Sequence, residues 1–205
     1  MPEIIALFGS PLPRGNTGLL LDEAIDGATG TGCTVERVNV PFLTFEPCLE
    51  SLHCMTEPEC SQLDDLTPFY DRLSEVDGVI VATPVMTMGV PGKLKGFFDR
   101  FQVYYWAKYG RRAPLVAPGR RVRRHGLLIA ISGLSRERVP HVFDGLRYTV
   151  DAFFDIVDVT PGEEVLIDDM DGKRDLSRFP GLLVEAREAG RRLGERLVRQ
   201  SLPED

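Results

Sequence analysis

The residues best suited to bind an anion lie in a polar segment, residues 9–18, between an apolar run and a helical pattern. Backbone N–H groups in the first turn of a helix are unpaired and carry a partial positive charge, so they favour a phosphate group. Glycines allow the backbone to approach such a group closely. The side chains that could add hydrogen bonds or positive charge are Ser10, Arg14, Asn16 and Thr17. Because Ser, Asn and Thr are also preferred N-cap residues, an ordinary capped loop is the alternative.

A second segment, residues 83–92, follows the clearest buried strand pattern in the chain and reads TPVMTMGVPG. The helical pattern KLKGFFDR comes directly after it. A third segment follows another apolar run and begins with Ser132 and Gly133. The residues of the second segment that we assign to the same site are Pro84, Val85, Met86, Thr87, Met88 and Gly89.

The elements that must position these segments alternate between apolar runs and helical patterns. The strands are predicted at residues 3–8, 33–40, 78–82, 126–132 and 153–159. The helices are predicted at residues 19–29, 68–75, 91–107, 137–152 and 182–198. Alternation of this kind gives βαβ crossovers and a parallel sheet covered on both faces. We expect an α/β fold with a doubly wound five-stranded parallel sheet in the order 2-1-3-4-5, with ligands beyond the carboxyl ends of strands one and three.

Length and composition predict one domain over residues 1–205, with a cysteine-containing excursion at about residues 41–67. The net charge of −7 argues against a nucleic-acid partner, because phosphate binding needs a basic surface. No apolar run is long enough to span a bilayer, and the N-terminus does not resemble a signal peptide. We therefore expect a cytoplasmic protein with no membrane partner, in which the cysteines are thiols or metal ligands rather than disulfides.

The segments GSP…GNT and TPV…GKLKGFFDR together resemble the NADPH-dependent FMN reductase branch of the flavodoxin-like superfamily. The resemblance covers roughly residues 3–100 and, more loosely, residues 126–132. It implies a flavodoxin-like fold with FMN as cofactor and NAD(P)H as co-substrate. By this resemblance Ser10, Asn16 and Thr17 would hold the FMN phosphate. Residues 84–89 would run along the isoalloxazine ring, and the loop that begins at Ser132 would close around it.

Two positions depart from the family pattern. Leu12 occupies a place where the family often has arginine, and Arg14 is the substitute that lies two residues further on. Met86 stands where the family usually has tyrosine, which removes a hydroxyl and an aromatic face near the flavin. For Asp99 and Arg100, in the following helix, we expect a scaffold or subunit-contact role rather than a catalytic one.

Cys48, Cys54 and Cys60 fall between the second and third strands, where iron-sulfur flavoproteins of this superfamily carry the motif C-x2-C-x2-C-x4-7-C. The chain matches three of its positions, with Ser51 in place of the remaining cysteine and His53 as a conceivable substitute ligand. A four-iron cluster normally takes four thiolates, and serine is a poor replacement. We therefore expect packed or free thiols rather than an iron-sulfur cluster. A redox-active dithiol is a third interpretation, although no pair has C-x-x-C spacing.

Residues 101–125 contain no acidic residue, which is unusual in a chain of net charge −7. One interpretation is attraction of a nucleotide phosphate or an acidic redox partner; the other is a solvated loop whose arginines pair with carboxylates elsewhere. His125 and His141 are expected to be surface or hydrogen-bonded residues rather than metal ligands. The basic residues of this stretch are Lys108, Arg111, Arg112, Arg120, Arg121, Arg123 and Arg124.

These features predict an FMN-binding oxidoreductase that passes electrons from NAD(P)H to a small acceptor such as a quinone or flavin. The flavin would supply the chemistry, so no protein residue is assigned a catalytic role. By the resemblance, the protein would be a homodimer or a higher homo-oligomer. One alternative is a non-enzymatic electron-transfer flavoprotein, with or without a cluster, that serves a redox partner protein. Another is a scaffold that keeps the fold without flavin.

Overall fold

The computed structural model describes residues 1–116 and 123–201, and a five-stranded parallel sheet lies at its centre. The strands pair in the order β2-β1-β3-β4-β5, and each pair is parallel. The predicted α/β class and strand order are therefore confirmed. The strands are β1 (Glu3–Phe8), β2 (Thr34–Asn39), β3 (Gly78–Pro84), β4 (His125–Ile131) and β5 (Glu164–Ile167).

Helices cover both faces of the sheet. One face packs against α1 and α7, and the other against α2, α3 and α5. Among the described residues, no helix combines the length and the apolar composition needed to cross a bilayer. The helices are α1 (Asn16–Thr29), α2 (Thr67–Glu75), α3 (Gly92–Arg100), α4 (Gln102–Tyr105) with a following π-helical turn (Trp106–Gly110), α5 (Asp144–Ile156), α6 (Met170–Lys173) and α7 (Pro180–Ser201).

The central strands are apolar on both sides because helices cover both faces. In β1, Ile5 and Leu7 belong to the core beneath α2, α3 and α5, whereas Ile4 and Ala6 belong to the core beneath α1 and α7. Successive side chains of a strand point to opposite faces, so one continuous apolar run serves both cores. This is why the sequence shows an uninterrupted apolar run rather than alternation.

The prediction of a strand at residues 153–159 is wrong. Phe153 and Phe154 belong to α5, and the fifth strand comes later, at Glu164–Ile167. The buried positions of this region include Val150, Phe153, Phe154 and Val157, which is the i, i+3, i+4, i+7 spacing of a helix face. The aromatic and β-branched residues of this segment favour a strand, but the helix buries their side chains against the sheet, and this packing outweighs the propensity.

Two predicted helices also have different bounds. The helix expected at residues 137–152 begins only at Asp144, after Pro140, whose missing N–H and fixed φ disfavour a helix interior. The helix expected at residues 91–107 is interrupted at Phe101, where α3 ends and α4 follows.

The described part of the basic stretch contains both buried and exposed basic residues. Arg124 is buried and donates hydrogen bonds to the carbonyl oxygens of Leu73, Val76 and Val157. These carbonyls belong to the C-terminal ends of α2 and α5, where a positive charge is favourable. Lys108 pairs with Asp158 at 2.8 Å, as the carboxylate-pairing interpretation expects. Arg120 and Arg121 lie outside the described residues.

Helices α1 and α7 approach each other closely at glycines. A methyl group at Gly190 of α7 would overlap the Ala24 carbonyl oxygen, and one at Gly27 of α1 would overlap the Arg187 carbonyl oxygen. Backbone atoms cannot move aside as a flexible side chain can, so these glycines set the distance between the helices. Since α1 also carries the polar loop at its N-terminus, this contact fixes the position of that loop.

We predict that Gly190→Ala lowers the free energy of unfolding by at least about 2 kcal/mol, because the methyl group forces the two helices apart. Gly181→Ala, in the first turn of α7, is the matched control because an added methyl group there meets nothing within 4 Å. It should change stability by less than about 0.5 kcal/mol. Urea denaturation followed by circular dichroism measures both values. Equal midpoints for the two variants would contradict the packing argument.

Candidate functional site

Three loops follow the carboxyl ends of adjacent strands. The first loop (residues 9–15) follows β1, the second loop (residues 85–91) follows β3, and the third loop (residues 132–134) follows β4. The connection from β1 leads to one side of the sheet and that from β3 to the other, since α1 and α3 pack on opposite faces. The loops therefore leave a crevice between them, which is the usual ligand position in doubly wound sheets.

Two backbone hydrogen bonds join the loops to neighbouring strands. The Gly9 N–H donates to the Ala82 carbonyl oxygen at 2.8 Å, which ties the first loop to β3. The Val85 N–H donates to the Ile131 carbonyl oxygen at 2.7 Å, which ties the second loop to the end of β4. The structure thus brings the residues predicted from the three sequence segments to one edge.

The first loop leads into α1, which begins at Asn16 without a side-chain cap. The first backbone N–H groups of this helix therefore have no capping oxygen and remain available to an anion. Thr17 and Ser10 are both buried beside this helix end, and the Ser10 Oγ accepts a hydrogen bond from the Leu12 N–H at 3.2 Å. The arrangement favours the phosphate-binding interpretation over an ordinary capped loop.

The other two candidates of the first loop are placed differently. Asn16 Nδ2 donates to the Arg174 carbonyl oxygen at 2.7 Å, and Oδ1 accepts from the Leu176 N–H at 3.1 Å. The Asn16 amide therefore holds the segment before α7 against the start of α1. A contact between this amide and a phosphate would require both bonds to break, whereas the backbone N–H of Asn16 is not used by them. Arg14 is exposed and makes no hydrogen bond to another described residue.

The second loop contains a tight two-residue turn. Met86 and Gly89 exchange two backbone hydrogen bonds of 2.9 Å, and the residues between them, Thr87 and Met88, have φ values of 49° and 61°. Positive φ at both central positions is the pattern of a type I′ turn, which usually takes asparagine or glycine. Two non-glycine residues in this conformation are strained, and such strain is concentrated at functional sites.

Met86 and Met88 are 43% and 40% exposed, so two large apolar side chains border the crevice. The N–H groups of Thr87 and Met88 make no hydrogen bond within the described part of the chain. The turn therefore offers free donors beside a soft apolar surface. Such a surface suits a flat heteroaromatic ring with a polar edge.

The third loop is held in place by hydrogen bonds to β5 and α6. The Ser132 N–H donates to the Ile167 carbonyl oxygen at 2.8 Å, and the Ser132 carbonyl accepts from the Met170 N–H at 2.9 Å. Gly133 lies against Asp171, whose carboxylate an added methyl group at Gly133 would contact at 2.6 Å. Ser132 and Gly133 are therefore held by β5 and α6, elements to which sequence reasoning assigned no role at the site.

An open groove of about 780 Å³ lies away from these loops, between α3, α4 and α5. It contains none of the residues predicted for the site. Its exposed aromatic side chains are those of Tyr105, Tyr109 and Tyr148. The tyrosine hydroxyl of Tyr109 donates to Asp155 at 2.5 Å, so part of the groove is already hydrogen-bonded within the chain.

The segment between β2 and α2 carries the remaining cysteines. Cys48, Cys54 and Cys60 are half-buried free thiols that line a cavity of about 500 Å³ beside the end of α3, together with Ser51 and His53. The predicted grouping of these residues is therefore present, and its chemistry depends on how many of them can ligate.

Arg100 attaches this segment to α3. Its side chain is fully buried, pairs with Asp64 at 2.6 Å and donates to the carbonyl oxygens of Glu46 and Gln62 at 2.8 and 3.0 Å. These bonds agree with the scaffold role expected from the sequence. Buried donors with no partner in the described part of the chain remain nearby: Arg100 Nε, Tyr70 Oη and Arg111 Nη2.

The cysteine segment does not fit a four-thiolate cluster. Burial and the neighbouring Cys48 raise the pKa of Cys54, which disfavours the thiolate that a metal requires. The Ser51 hydroxyl, at the position of the missing cysteine, is hydrogen-bonded to Ser61 at 3.0 Å. Within residues 1–116 and 123–201, no three His, Cys, Asp or Glu groups are arranged to hold a metal ion.

Known proteins share both the sequence pattern and the fold. An iron-sulfur flavoprotein of Methanocaldococcus jannaschii is 34% identical over 98 residues, 48% of this chain and 51% of the relative. An iron-sulfur flavoprotein of Archaeoglobus fulgidus is 32% identical over 102 residues, 50% of this chain and 46% of the relative. The chain thus spans about half the length of these curated relatives.

Solved structures extend the similarity of fold to nearly the whole chain. An NAD(P)H:quinone oxidoreductase from Methanothermobacter marburgensis has a TM-score of 0.69 at 21% identity and covers 93% of this chain and 95% of its own. An FMN-dependent NADH-azoreductase from Bacillus anthracis, in complex with FMN, has a TM-score of 0.69 at 15% identity. The alignment covers 95% of this chain and 100% of the azoreductase. At these identities the similarity concerns the fold alone.

The sequence profile of one family, described as NADPH-dependent FMN reductase, matches residues 2–134. The matched region runs from β1 through β4 and includes all three loops at the carboxyl edge. It contains every residue that sequence reasoning assigned to the site. This chain belongs to the NADPH-dependent FMN reductase family.

Proposed function

We propose that this chain binds FMN at the carboxyl edge of the sheet and passes electrons from NAD(P)H to a small acceptor such as a quinone or flavin. The observation that carries the proposal is the meeting of three loops there, with α1 starting uncapped beneath the first. Family membership and the name of the azoreductase neighbour, which is in complex with FMN, support the choice of cofactor.

The residues present fit FMN at both of its ends. The phosphate would lie at the start of α1, where the Ser10 and Thr17 hydroxyls and the uncapped backbone N–H groups are available. A side chain at Gly18 would overlap the Pro13 carbonyl oxygen, so glycine is needed for the loop to lie this close to the helix. The exposed Arg14 would add positive charge from the rim.

The flavin ring would lie along the second loop, within reach of the third. The N–H groups of Thr87 and Met88 would bond to its polar edge, and the apolar part of Met86 would contact its face. Bound FMN supplies hydride and electron transfer, so the protein must bind and orient the ring and leave one face open to the nicotinamide. We assign no acid, base or nucleophile.

A hydroxyl-to-methyl exchange at Thr17 tests the phosphate contact. We predict that Thr17→Val weakens FMN binding about tenfold, because a hydrogen bond to a charged group is lost while the side-chain shape is kept. Thr29→Val, at the opposite end of α1, is the matched control and should leave the affinity unchanged. Quenching of FMN fluorescence on titration measures both dissociation constants. Equal affinities for the two variants would remove the phosphate site from the start of α1.

Turnover tests the activity itself. We expect the FMN-loaded protein to oxidise NADPH or NADH in the presence of a quinone, measured by the loss of nicotinamide absorbance at 340 nm under anaerobic conditions. Protein that binds FMN but is reduced only by a low-potential protein donor would instead be the electron carrier. Protein that takes up no FMN would exclude both and leave the scaffold.

The electron carrier is a second candidate because the curated relatives are named iron-sulfur flavoproteins and the cysteine cavity occurs in this chain. We predict that the wild-type chain retains no stoichiometric iron and sulfide after anaerobic reconstitution, whereas Ser51→Cys retains more of both because it restores the fourth thiol. Iron and sulfide analysis after gel filtration measures the difference. A wild-type chain with a full cluster would contradict our assignment of Ser51.

A homodimer or higher homo-oligomer remains part of the proposal. The groove between α3, α4 and α5 exposes Tyr105, Tyr109 and Tyr148, and aromatic side chains of this kind are enriched at protein interfaces. A solvent-open flavin site would gain cover from such a contact. Light scattering of the purified chain gives the oligomer mass.

A further inference from the structure

A second cavity, of about 610 Å³, lies at the amino edge of the sheet, opposite the three loops. It is bounded by the start of β4 and the last turns of α7. Arg123, Arg196 and Arg199 line it, and none of them forms an ion pair with another described residue. The carboxylates that also line it are engaged, Glu163 by Arg192 at 2.7 Å and Glu195 by Arg191.

His125 lies at the inner wall of this cavity and is only 7% exposed. Its Nε2 is 3.0 Å from Gln200 Nε2, and the Gln200 Oε1 accepts the Arg123 N–H at 2.8 Å. Because this bond fixes the orientation of the amide, Gln200 Nε2 is a donor and His125 Nε2 must accept. The proton of the neutral ring is therefore on Nδ1, which is buried and has no partner in the described part of the chain.

We propose that this cavity binds a small multivalent oxyanion of the phosphate class. Three guanidinium groups that form no ion pair with another described residue border this space, and His125 lines its inner side. Guanidinium groups bind phosphate oxygens in paired hydrogen bonds, and their charge persists at any physiological pH. A multivalent anion could accept hydrogen bonds from more than one of these guanidinium groups at once.

The site is separate from the proposed flavin site. His125 begins β4, whereas the third loop follows the end of the same strand, so the length of the strand lies between them. The phosphate of FMN and the oxyanion at the amino edge therefore should not compete for one site. This inference does not depend on the proposed oxidoreductase function.

The ring of His125 reports on the occupant. Burial, and to a lesser degree the charges of Arg196 and Arg123, lower the pKa of this histidine. A bound anion offsets those charges, so the pKa should rise. In a proton NMR titration of the purified protein, carried out with and without added FMN, inorganic pyrophosphate should shift the His125 signal saturably at constant ionic strength. His53 and His141, which lie elsewhere, should not respond.

Two arginine variants on α7 test which residues bind the pyrophosphate. Arg196→Gln should weaken pyrophosphate binding about tenfold, because a charged hydrogen-bond donor is lost from an exposed position. Arg187→Gln removes the same charge from α7 at a position where the arginine pairs with Glu23 at 2.6 Å, and it should bind like the wild type. Isothermal titration calorimetry gives the affinities.

Three results would overturn the proposal. One is the absence of saturable binding at millimolar pyrophosphate. Another is equal weakening by both substitutions, which would indicate a general effect of net charge. The third is release of pyrophosphate by added FMN, which would place the anion at the start of α1 instead.

Discussion

Parallel pairing of β1 with β3, and of β3 with β4, is the constraint on which the rest of the structure depends. The register places Phe8 opposite Ala82 and Pro84 opposite Ile131, so these strands end at one edge. Parallel strands need crossover connections, and those connections put α1 and α3 on opposite faces. The crevice between the loops is a consequence of this topology, and the loop residues only determine what can bind there.

The start of α1 needs more than the sheet to hold it in place. Gly27 and Gly190 allow α1 and α7 to touch through their backbones, and the Asn16 amide ties the segment before α7 to the same helix end. Both restraints come from the C-terminal part of the chain, beyond the region that the family profile matches. The C-terminal helix thus supports the polar loop without contributing residues to it.

Sequence patterns were sufficient where one interaction dominates locally. Apolar runs in buried parallel strands and polar loops after them predicted the fold class, the strand order and the edge at which the loops meet. Sequence patterns failed where tertiary contacts determine the structure. Phe153 and Phe154 pack on one face of a helix despite their strand propensity. Arg124 is buried and donates hydrogen bonds to carbonyl oxygens distant in sequence. The use of the Asn16 amide was unpredictable for the same reason, since its partners lie about 160 residues away. Ligand contacts of the site residues stay predictions.

The arginines beside the two cavities differ in how their charge is balanced by the described residues. Around the cysteine cavity, Arg100 is held by a carboxylate and two carbonyls, so its charge is already balanced and its remaining N–H can be met by water. At the amino edge, three arginines line a cavity and form no ion pair with another described residue. Positive charges gathered without such partners favour the binding of an anion. Charge balance therefore separates the two regions, because the arginine beside the cysteine cavity is neutralised within the chain and the arginines at the amino edge are not neutralised by the described residues.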